Sequence, residues 1–148
     1  MNSQQNLEQR LELAVEEARN GSSSAAMVEL EELVRLTNHP SALAWLGYCL
    51  AVQQQDYSRA LVLCTSAVHT TPDDADLYLA LGRVYRLAGR RYQALSTLRR
   101  GLKLGRHELI MKELTLMGTR KEPVFSVLDR ANRLNVVAGR VMTKFKFR

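Results

Sequence analysis

Two consecutive stretches of the chain have similar sequences and decide its fold. Residues 43–74 read LAWLGYCLAVQQQDYSRALVLCTSAVHTTPDD, and residues 74–105 read DADLYLALGRVYRLAGRRYQALSTLRRGLKLG. Each stretch has a Leu-Gly pair in its first half and a tyrosine near its middle: Leu46-Gly47 with Tyr57, and Leu81-Gly82 with Tyr92. Similarity at a regular spacing is typical of a repeat protein, so the same spacing is expected elsewhere in the chain.

The spacing does recur, in three columns of residues that lie 34 positions apart: Ala26, Ala60 and Ala94; Leu30, Cys64 and Leu98; and Gly21, Gln55 and Gly89. The two Leu-Gly pairs are 35 residues apart, so the second repeat has one extra residue before its turn, within AVQQQDY at residues 51–57. This arrangement predicts three tandem helical hairpins of about 34 residues each.

Small residues within the predicted helices indicate close packing between helices. Glycine inside a helix costs about 1 kcal/mol relative to alanine. A helix tolerates this loss where a neighbouring helix must come very near. The residues that we assign to this close packing are Ala26, Gly47, Ala60, Gly82 and Ala94.

The helix ends carry signals of their own. Gly89 is expected to end a helix, because glycine readily adopts the left-handed conformation of a C-cap. Pro72 follows the second helix of its pair and stops it. Asp73 or Asp74 can then cap the next helix, since a short side-chain acceptor satisfies the free N–H groups there.

The repeat resembles the tetratricopeptide repeat, a 34-residue helix–turn–helix, and the resemblance covers roughly residues 6–105. The third repeat has the pattern at Tyr78, Leu81, Gly82, Tyr85, Ala94 and Leu98, and the second has it at Leu46, Gly47, Ala60, Cys64, Ala67 and Pro72. The first repeat keeps Leu13, Gly21, Ala26 and Leu30 but has Ala14 where the family has glycine. The third repeat has Gly101 in place of the late alanine and lacks the closing proline.

The pattern and the resemblance together predict an all-α fold. It is a right-handed superhelical stack of antiparallel helix pairs with about seven or eight helices. The predicted helices span residues 6–20, 23–37, 41–54, 57–70, 74–88, 91–104 and 107–118. The last of them is a capping helix, because stacked repeats cannot bury their final face alone. The predicted domain is 1–118, with repeats at about 6–39, 40–73 and 74–105, and residues 119–148 form a basic tail.

The charge of +6 is distributed unevenly along the 148 residues. Residues 1–76 contain 4 Lys and Arg against 11 Asp and Glu, whereas residues 77–148 contain 17 against 4. Such asymmetry bears on the choice of partner rather than on the fold.

The tail at residues 119–148 contains 8 Lys and Arg against 2 Asp and Glu. One interpretation is an eighth helix or an extended segment that packs on the repeats and leaves its charges in solvent. A second is a basic amphipathic anchor for a membrane surface or a partner, and a third is nucleic-acid binding. The basic residues assigned to this tail are Arg130, Arg133, Arg140, Lys144 and Lys146.

Several classes of protein are disfavoured by the sequence. No run of about 18 apolar residues could cross a bilayer, and MNSQQNLEQR at residues 1–10 does not have the pattern of a secretory signal. The two cysteines, Cys49 and Cys64, lie in apolar helical sequence and are interpreted as buried thiols in a reducing compartment. We therefore predict a cytoplasmic protein.

Catalytic and metal-binding patterns are not found in the sequence. Phosphate-binding, dinucleotide-binding and nucleophile-elbow motifs are lacking. None of the histidines at His39, His69 and His107 lies at metal-ligand spacing from another histidine or a cysteine. We predict no catalytic residue, no cofactor and no metal, and hence a protein that is not an enzyme.

The resemblance implies that the concave face, lined by the first helix of each pair, binds an extended peptide or a helix of a partner protein. The predicted groove residues are Leu11, Val15, Arg19, Ala44, Tyr48, Val52, Leu79, Arg83, Arg86 and Leu87. Arginine can bind a carboxylate through two parallel hydrogen bonds. We therefore expect a partner with apolar anchors and an acidic group, although Arg83 and Arg86 could also be ordinary solvated residues.

Other functions stay open at this stage. The protein could form homo-oligomers in which the acidic half of one copy meets the basic half of another. The tail could attach it to a membrane surface or to nucleic acid. Compact three-repeat chaperones of bacterial type III secretion are a further alternative, although they tend to be acidic. The clamp that holds chaperone C-termini is not expected, because Leu11 and Val15 occupy the positions of its Lys and Asn.

Overall fold

The computed structural model describes residues 3–118, and this part of the chain is entirely helical. Seven helices follow one another: α1 (Ser3–Arg19), α2 (Ser23–Thr37), α3 (Pro40–Gln53), α4 (Tyr57–Thr70), α5 (Ala75–Leu87), α6 (Arg91–Lys103) and α7 (Glu108–Leu116). Every predicted helix end lies within three residues of the observed end. The predicted all-α class is confirmed. The tail residues lie outside the described residues.

The helices of residues 3–118 pack in sequential pairs. Helices α1 and α2, α3 and α4, and α5 and α6 contact each other within each pair. The first helices of the pairs are also neighbours, because α3 contacts both α1 and α5. Helix α7 packs on α5 and α6. The three first helices thus share one side of the stack, which we call the first-helix face. None of these seven helices is long and apolar enough to cross a lipid bilayer.

Helix α3 lies at the centre of this packing. It contacts α1, α2, α4 and α5, and nine of its fourteen residues are buried. Among them is Trp45, which is completely inaccessible to solvent. A helix that is apolar on nearly all sides belongs in the interior of a stack, whereas the outer helices are apolar on one side only.

The mid-helix glycines lie where two helices touch. A Cβ atom on Gly47 would lie 2.7 Å from Cys64 Sγ and 2.8 Å from the carbonyl oxygen of Ala60. A Cβ atom on Gly82 would lie 2.5 Å from Leu98 Cδ2. All three distances are far below an ordinary van der Waals contact, so a side chain at either position would push its helix pair apart. Ala26, Ala60 and Ala94, the alanines assigned to close packing from the sequence, are fully buried.

Gly101 shows why the third repeat departs from the family pattern. A Cβ atom at this position would lie 2.7 Å from Ile110 Cδ1 of α7 and 2.9 Å from Tyr78 Cβ of α5. Ile110 is itself fully buried. The missing side chain therefore makes room for the helix that follows the last repeat.

The helix ends follow the capping signals in the sequence. Of the two candidates, it is Asp74 whose Oδ1 accepts a hydrogen bond from the Asp76 N–H, at 2.9 Å, and caps α5. Asp56 caps α4 in the same way through the Arg59 N–H, at 3.0 Å. After α5, Gly89 adopts a φ of +72°, the left-handed conformation that its role as a helix stop requires.

Candidate functional site

The structure divides the ten predicted groove residues into accessible and buried ones. Four are buried in the described part of the chain: Val15, Ala44, Leu79 and Arg83. The other six are half-buried or exposed: Leu11, Arg19, Tyr48, Val52, Arg86 and Leu87. The buried residues pack beneath the first-helix face, and the accessible residues form its surface.

An open cavity of about 1050 Å³ lies along α1, and we call it the α1 groove. Three predicted groove residues line it, namely Leu11, Val15 and Arg19, and so do His39 and Ser41 from the start of α3. Its remaining lining is largely acidic, from Glu8, Glu12, Glu16, Asp74 and Asp76. Leu11 and Val15 supply an apolar floor, while carboxylates supply the rim.

Asp76 joins the first helices of the three pairs. Its Oδ2 accepts a hydrogen bond from Trp45 Nε1 of α3 at 2.8 Å. The same oxygen lies 3.0 Å from Arg19 Nη2 of α1, and Oδ1 lies 3.5 Å from His107 Nε2. A buried tryptophan needs a partner for its N–H, and Asp76 provides it. From the sequence, only its neighbours Asp73 and Asp74 were expected to have a role, as helix caps, because nothing local indicates a contact between Asp76 and Trp45.

Two guanidinium groups lie over the Trp45 ring. The Cζ atoms of Arg19 and Arg83 are each 5.7 Å from the ring centroid, which is within cation–π distance. Arg83 also lies 5.5 Å from the ring centroid of Tyr48. The two rings pack edge to face at 5.6 Å. This arrangement holds both arginine side chains in fixed positions.

The carboxylate beside Arg83 and Arg86 comes from the chain itself. Arg83 Nε donates to Oε1 of Glu113 in α7 at 2.7 Å, and Arg86 Nε lies 3.2 Å from Oε2 of the same residue. Arg83 Nη1 also donates to the carbonyl oxygen of Arg19 at 3.0 Å. Arg83 is thus neither solvated nor open to a partner in this conformation. Arg86 keeps 41% of its side chain exposed.

Glu113 was not predicted from the sequence to be a functional residue, because the sequence contains only part of the information needed to identify it. The helix at residues 107–118 was predicted, and Glu113 is its one acidic residue between Glu108 and the end of the described chain. Its meeting with Arg83 depends on how α7 packs against α5, which periodicity alone does not state.

The two cysteines are buried thiols, as the sequence predicted. Both are free, and Cys64 Sγ donates to the carbonyl oxygen of Ala44 at 3.1 Å. Burial raises the pKa of Cys49 to about 12, and it also raises the pKa of Cys64. A thiol that stays protonated is a poor nucleophile and a poor metal ligand. Residues 3–118 contain no group of His, Cys, Asp or Glu side chains placed to hold a metal ion.

The fold and this face define a helical-repeat protein. Residues 51–111, from within α3 to within α7, match the family model described as Tetratricopeptide repeat. The resemblance drawn from the sequence is therefore confirmed over residues 51–111. Such repeats are generally protein–protein interaction modules and typically non-catalytic. No curated protein is a significant match to the chain.

Proposed function

We propose that this protein is a non-enzymatic adaptor that binds a peptide or a helix of another protein along its first-helix face. The observation that carries the proposal is the α1 groove, an open cavity of about 1050 Å³ that contains three of the predicted groove residues. Binding sites for extended segments are concave and combine an apolar floor with a few polar groups that fix orientation, and this groove has both.

The apolar anchors of the partner would meet a series of accessible side chains along this face. Leu11 lies on α1, Val52 near the end of α3 and Leu87 at the end of α5. Val52 is 39% exposed, and Leu11 and Leu87 are half-buried. Because α3 contacts both α1 and α5, these side chains lie on adjacent helices, which suits a segment that crosses all three.

The acidic group of the partner would pair with Arg86. This guanidinium contacts Glu113 through Nε and keeps a large exposed fraction. An arginine side chain has five N–H donors, so a second carboxylate can bind beside Glu113. Arg83 contributes indirectly, since its own contacts with Glu113 hold that carboxylate in place. We therefore propose that the acidic group of the partner, which was predicted from the sequence, binds Arg86 and not Arg83.

Attachment through the basic tail stays a prediction from the sequence, because Arg130, Arg133, Arg140, Lys144 and Lys146 lie outside the described residues. A secretion-type chaperone is a special case of the proposed adaptor. It would differ from other adaptors in the partner that it holds.

The proposal is tested by comparing two double variants as baits for binding partners in a native cell extract, with mass spectrometry as the readout. The face variant is Val52→Asp with Arg86→Glu. The matched control is Val62→Asp with Arg59→Glu on α4, where Val62 is 68% exposed. Both variants make the same change in charge and polarity at exposed positions.

We expect at least one protein to be captured by the unmodified chain and by the control, and to be lost from the face variant. Isothermal titration with that purified protein would then measure the affinity. Capture that is unchanged both in the face variant and in Leu11→Asp, which changes the floor of the α1 groove, would rule out the first-helix face as the binding site. Capture that is lost equally in the control would do the same. Circular dichroism of both variants verifies that the helices are intact.

A further inference from the structure

The exposed side of α6 is strongly basic. Helix α6, residues 91–103, contains four Lys and Arg and no Asp or Glu. A shallow cavity of about 260 Å³ on α6 is lined by Tyr92, Leu95, Ser96, Arg99, Arg100 and Lys103. Tyr92 is 82% exposed, and both Arg99 and Lys103 are exposed. Within residues 3–118, Arg99 and Lys103 have no ion-pair partner. We call Arg99, Arg100 and Lys103 the α6 basic face.

The exposed side of α1 is acidic in a corresponding way. Glu8, Glu12 and Glu16 follow one another at intervals of four residues, which places them on one side of the helix. We call them the α1 acidic face. Glu16 pairs with Arg19 at 2.8 Å, but Glu8 and Glu12 have no ion-pair partner in the described part of the chain. Like charges at this spacing destabilise a helix by a few tenths of a kcal/mol, so a cation bound beside them would stabilise α1.

We infer that a second copy of this chain supplies that cation. The α6 basic face of one molecule binds the α1 acidic face of the next. Arg99 and Lys103 are four residues apart, as are Glu8 and Glu12. Four residues advance a helix by about 6 Å, so two helices side by side bring both pairs of opposite charges together. The occupant is assigned by this charge complementarity between two surfaces of the same chain.

The contact is of the head-to-tail type. Helices α1 and α6 belong to the first and third pairs and do not contact each other within the described unit. A molecule that uses its α6 basic face therefore leaves its α1 acidic face available for a third copy. Contacts of this kind produce rings or open chains rather than closed dimers with twofold symmetry. They rest on exposed charges, and salt screens them.

The experiment measures the mass of the full chain by sedimentation at several protein concentrations, in about 0.02 M and about 0.5 M salt. A single copy has a mass of 16.7 kDa. We expect a weight-average mass above this value at low salt, rising with concentration, and a return to the single-copy mass at high salt. A single-copy mass under both conditions would overturn the inference.

Charge-reversal variants locate the contact. We expect Arg99→Glu with Lys103→Glu to abolish association at low salt, and Glu8→Lys with Glu12→Lys to do the same. A mixture of these two double variants should associate again, because each then offers the charge that the other lacks. The matched control is Arg35→Glu with Arg59→Glu, which makes the same change in net charge at exposed positions on α2 and α4. It should associate like the unmodified chain.

Two outcomes would contradict the assignment of the surfaces. Association that is lost equally in the control would mean that net charge alone drives it. Association that survives in Arg99→Glu with Lys103→Glu, but is lost on reversal of Arg130, Arg133 and Arg140, would place the contact in residues 119–148. The α1 acidic face also lines the α1 groove, so a second copy and the partner of the proposed adaptor would compete for this surface. The two tests remain distinguishable, because the adaptor test changes Val52 and Arg86 and leaves both charged faces intact.

Discussion

Glu113 of α7 and Arg83 of α5 form an ion pair of 2.7 Å in which both side chains are more than nine-tenths buried. Burying two charges is costly unless the pair is close and its remaining polar atoms are satisfied. Here Arg83 also donates to the Arg19 carbonyl and lies over two aromatic rings. The pair therefore connects the capping helix to the first and third repeats through one guanidinium group.

Removing one member of this pair should destabilise the protein strongly. Glu113→Ala leaves the Arg83 charge buried without its partner, and such a loss costs about 3 kcal/mol or more. The free energy of unfolding, measured in urea, should fall by this amount. Glu108→Ala is the control, because Glu108 lies on the same helix with 85% of its side chain exposed. A change below about 0.5 kcal/mol for Glu113→Ala, the size typical of surface substitutions, would contradict the role assigned to the pair.

The two mid-helix glycines should respond differently to an added methyl group. In Gly47→Ala the new Cβ meets the Ala60 backbone carbonyl at 2.8 Å, and backbone atoms cannot move out of the way. In Gly82→Ala the three atoms nearest to the new Cβ all belong to the Leu98 side chain, which can adopt another rotamer at some cost. Both changes should destabilise by about 1–3 kcal/mol, with Gly47→Ala the more severe. Thermal unfolding measures the difference, and equal or increased stability of Gly47→Ala would show that the helices can separate there.

Loss of the Trp45 N–H should weaken the link between the first helices. Trp45→Phe removes the donor to Asp76 and leaves a smaller ring between Arg19 and Arg83. We expect a loss of about 1–3 kcal/mol from the unmade hydrogen bond and the reduced packing. Urea unfolding with circular dichroism provides the measurement, since Trp45 is the protein's single tryptophan. A variant as stable as the parent would mean that Asp76 is held by Arg19 and His107 alone.

Alkaline pH should destabilise the fold through the two thiols. Burial raises the pKa of Cys49 to about 12 and also raises the pKa of Cys64. The unfolded chain loses these protons near pH 9, whereas the folded chain keeps them. The contribution is therefore constant below pH 9 and is lost as the pH rises from about 9 to 12, by about 1.4 kcal/mol per pH unit for each thiol.

The Cys49→Ala variant isolates this effect, because lysines and tyrosines ionise equally in the variant and the parent. The free energy of unfolding of the parent should fall more steeply than that of the variant between pH 9 and pH 10.5. Parallel pH profiles would show that Cys49 ionises as readily in the folded chain as in the unfolded chain.

The repeat period and the helix positions could be predicted from the sequence because both depend on local signals. Ala26, Ala60 and Ala94 recur at 34 residues, and caps such as Asp74 and Gly89 act within a few positions of themselves. The close approach at Gly47 and Gly82 was also predictable, since glycine weakens a helix and is tolerated inside one where a neighbouring helix must come near. The accessible residues of the proposed binding face, such as Leu11 and Val52, could also be predicted, because they lie on the first helix of each pair.

Only the tertiary structure decided which charges meet. Arg83 is separated by 30 residues from Glu113 and by 64 residues from Arg19, so no helical period connects these residues. Their contact follows from the packing of α7 on α5 and of α1 on α3. Helical periodicity specifies the side of a helix on which a residue lies. Whether Arg83 is buried there against the chain's own carboxylate depends on the neighbouring helix that covers it.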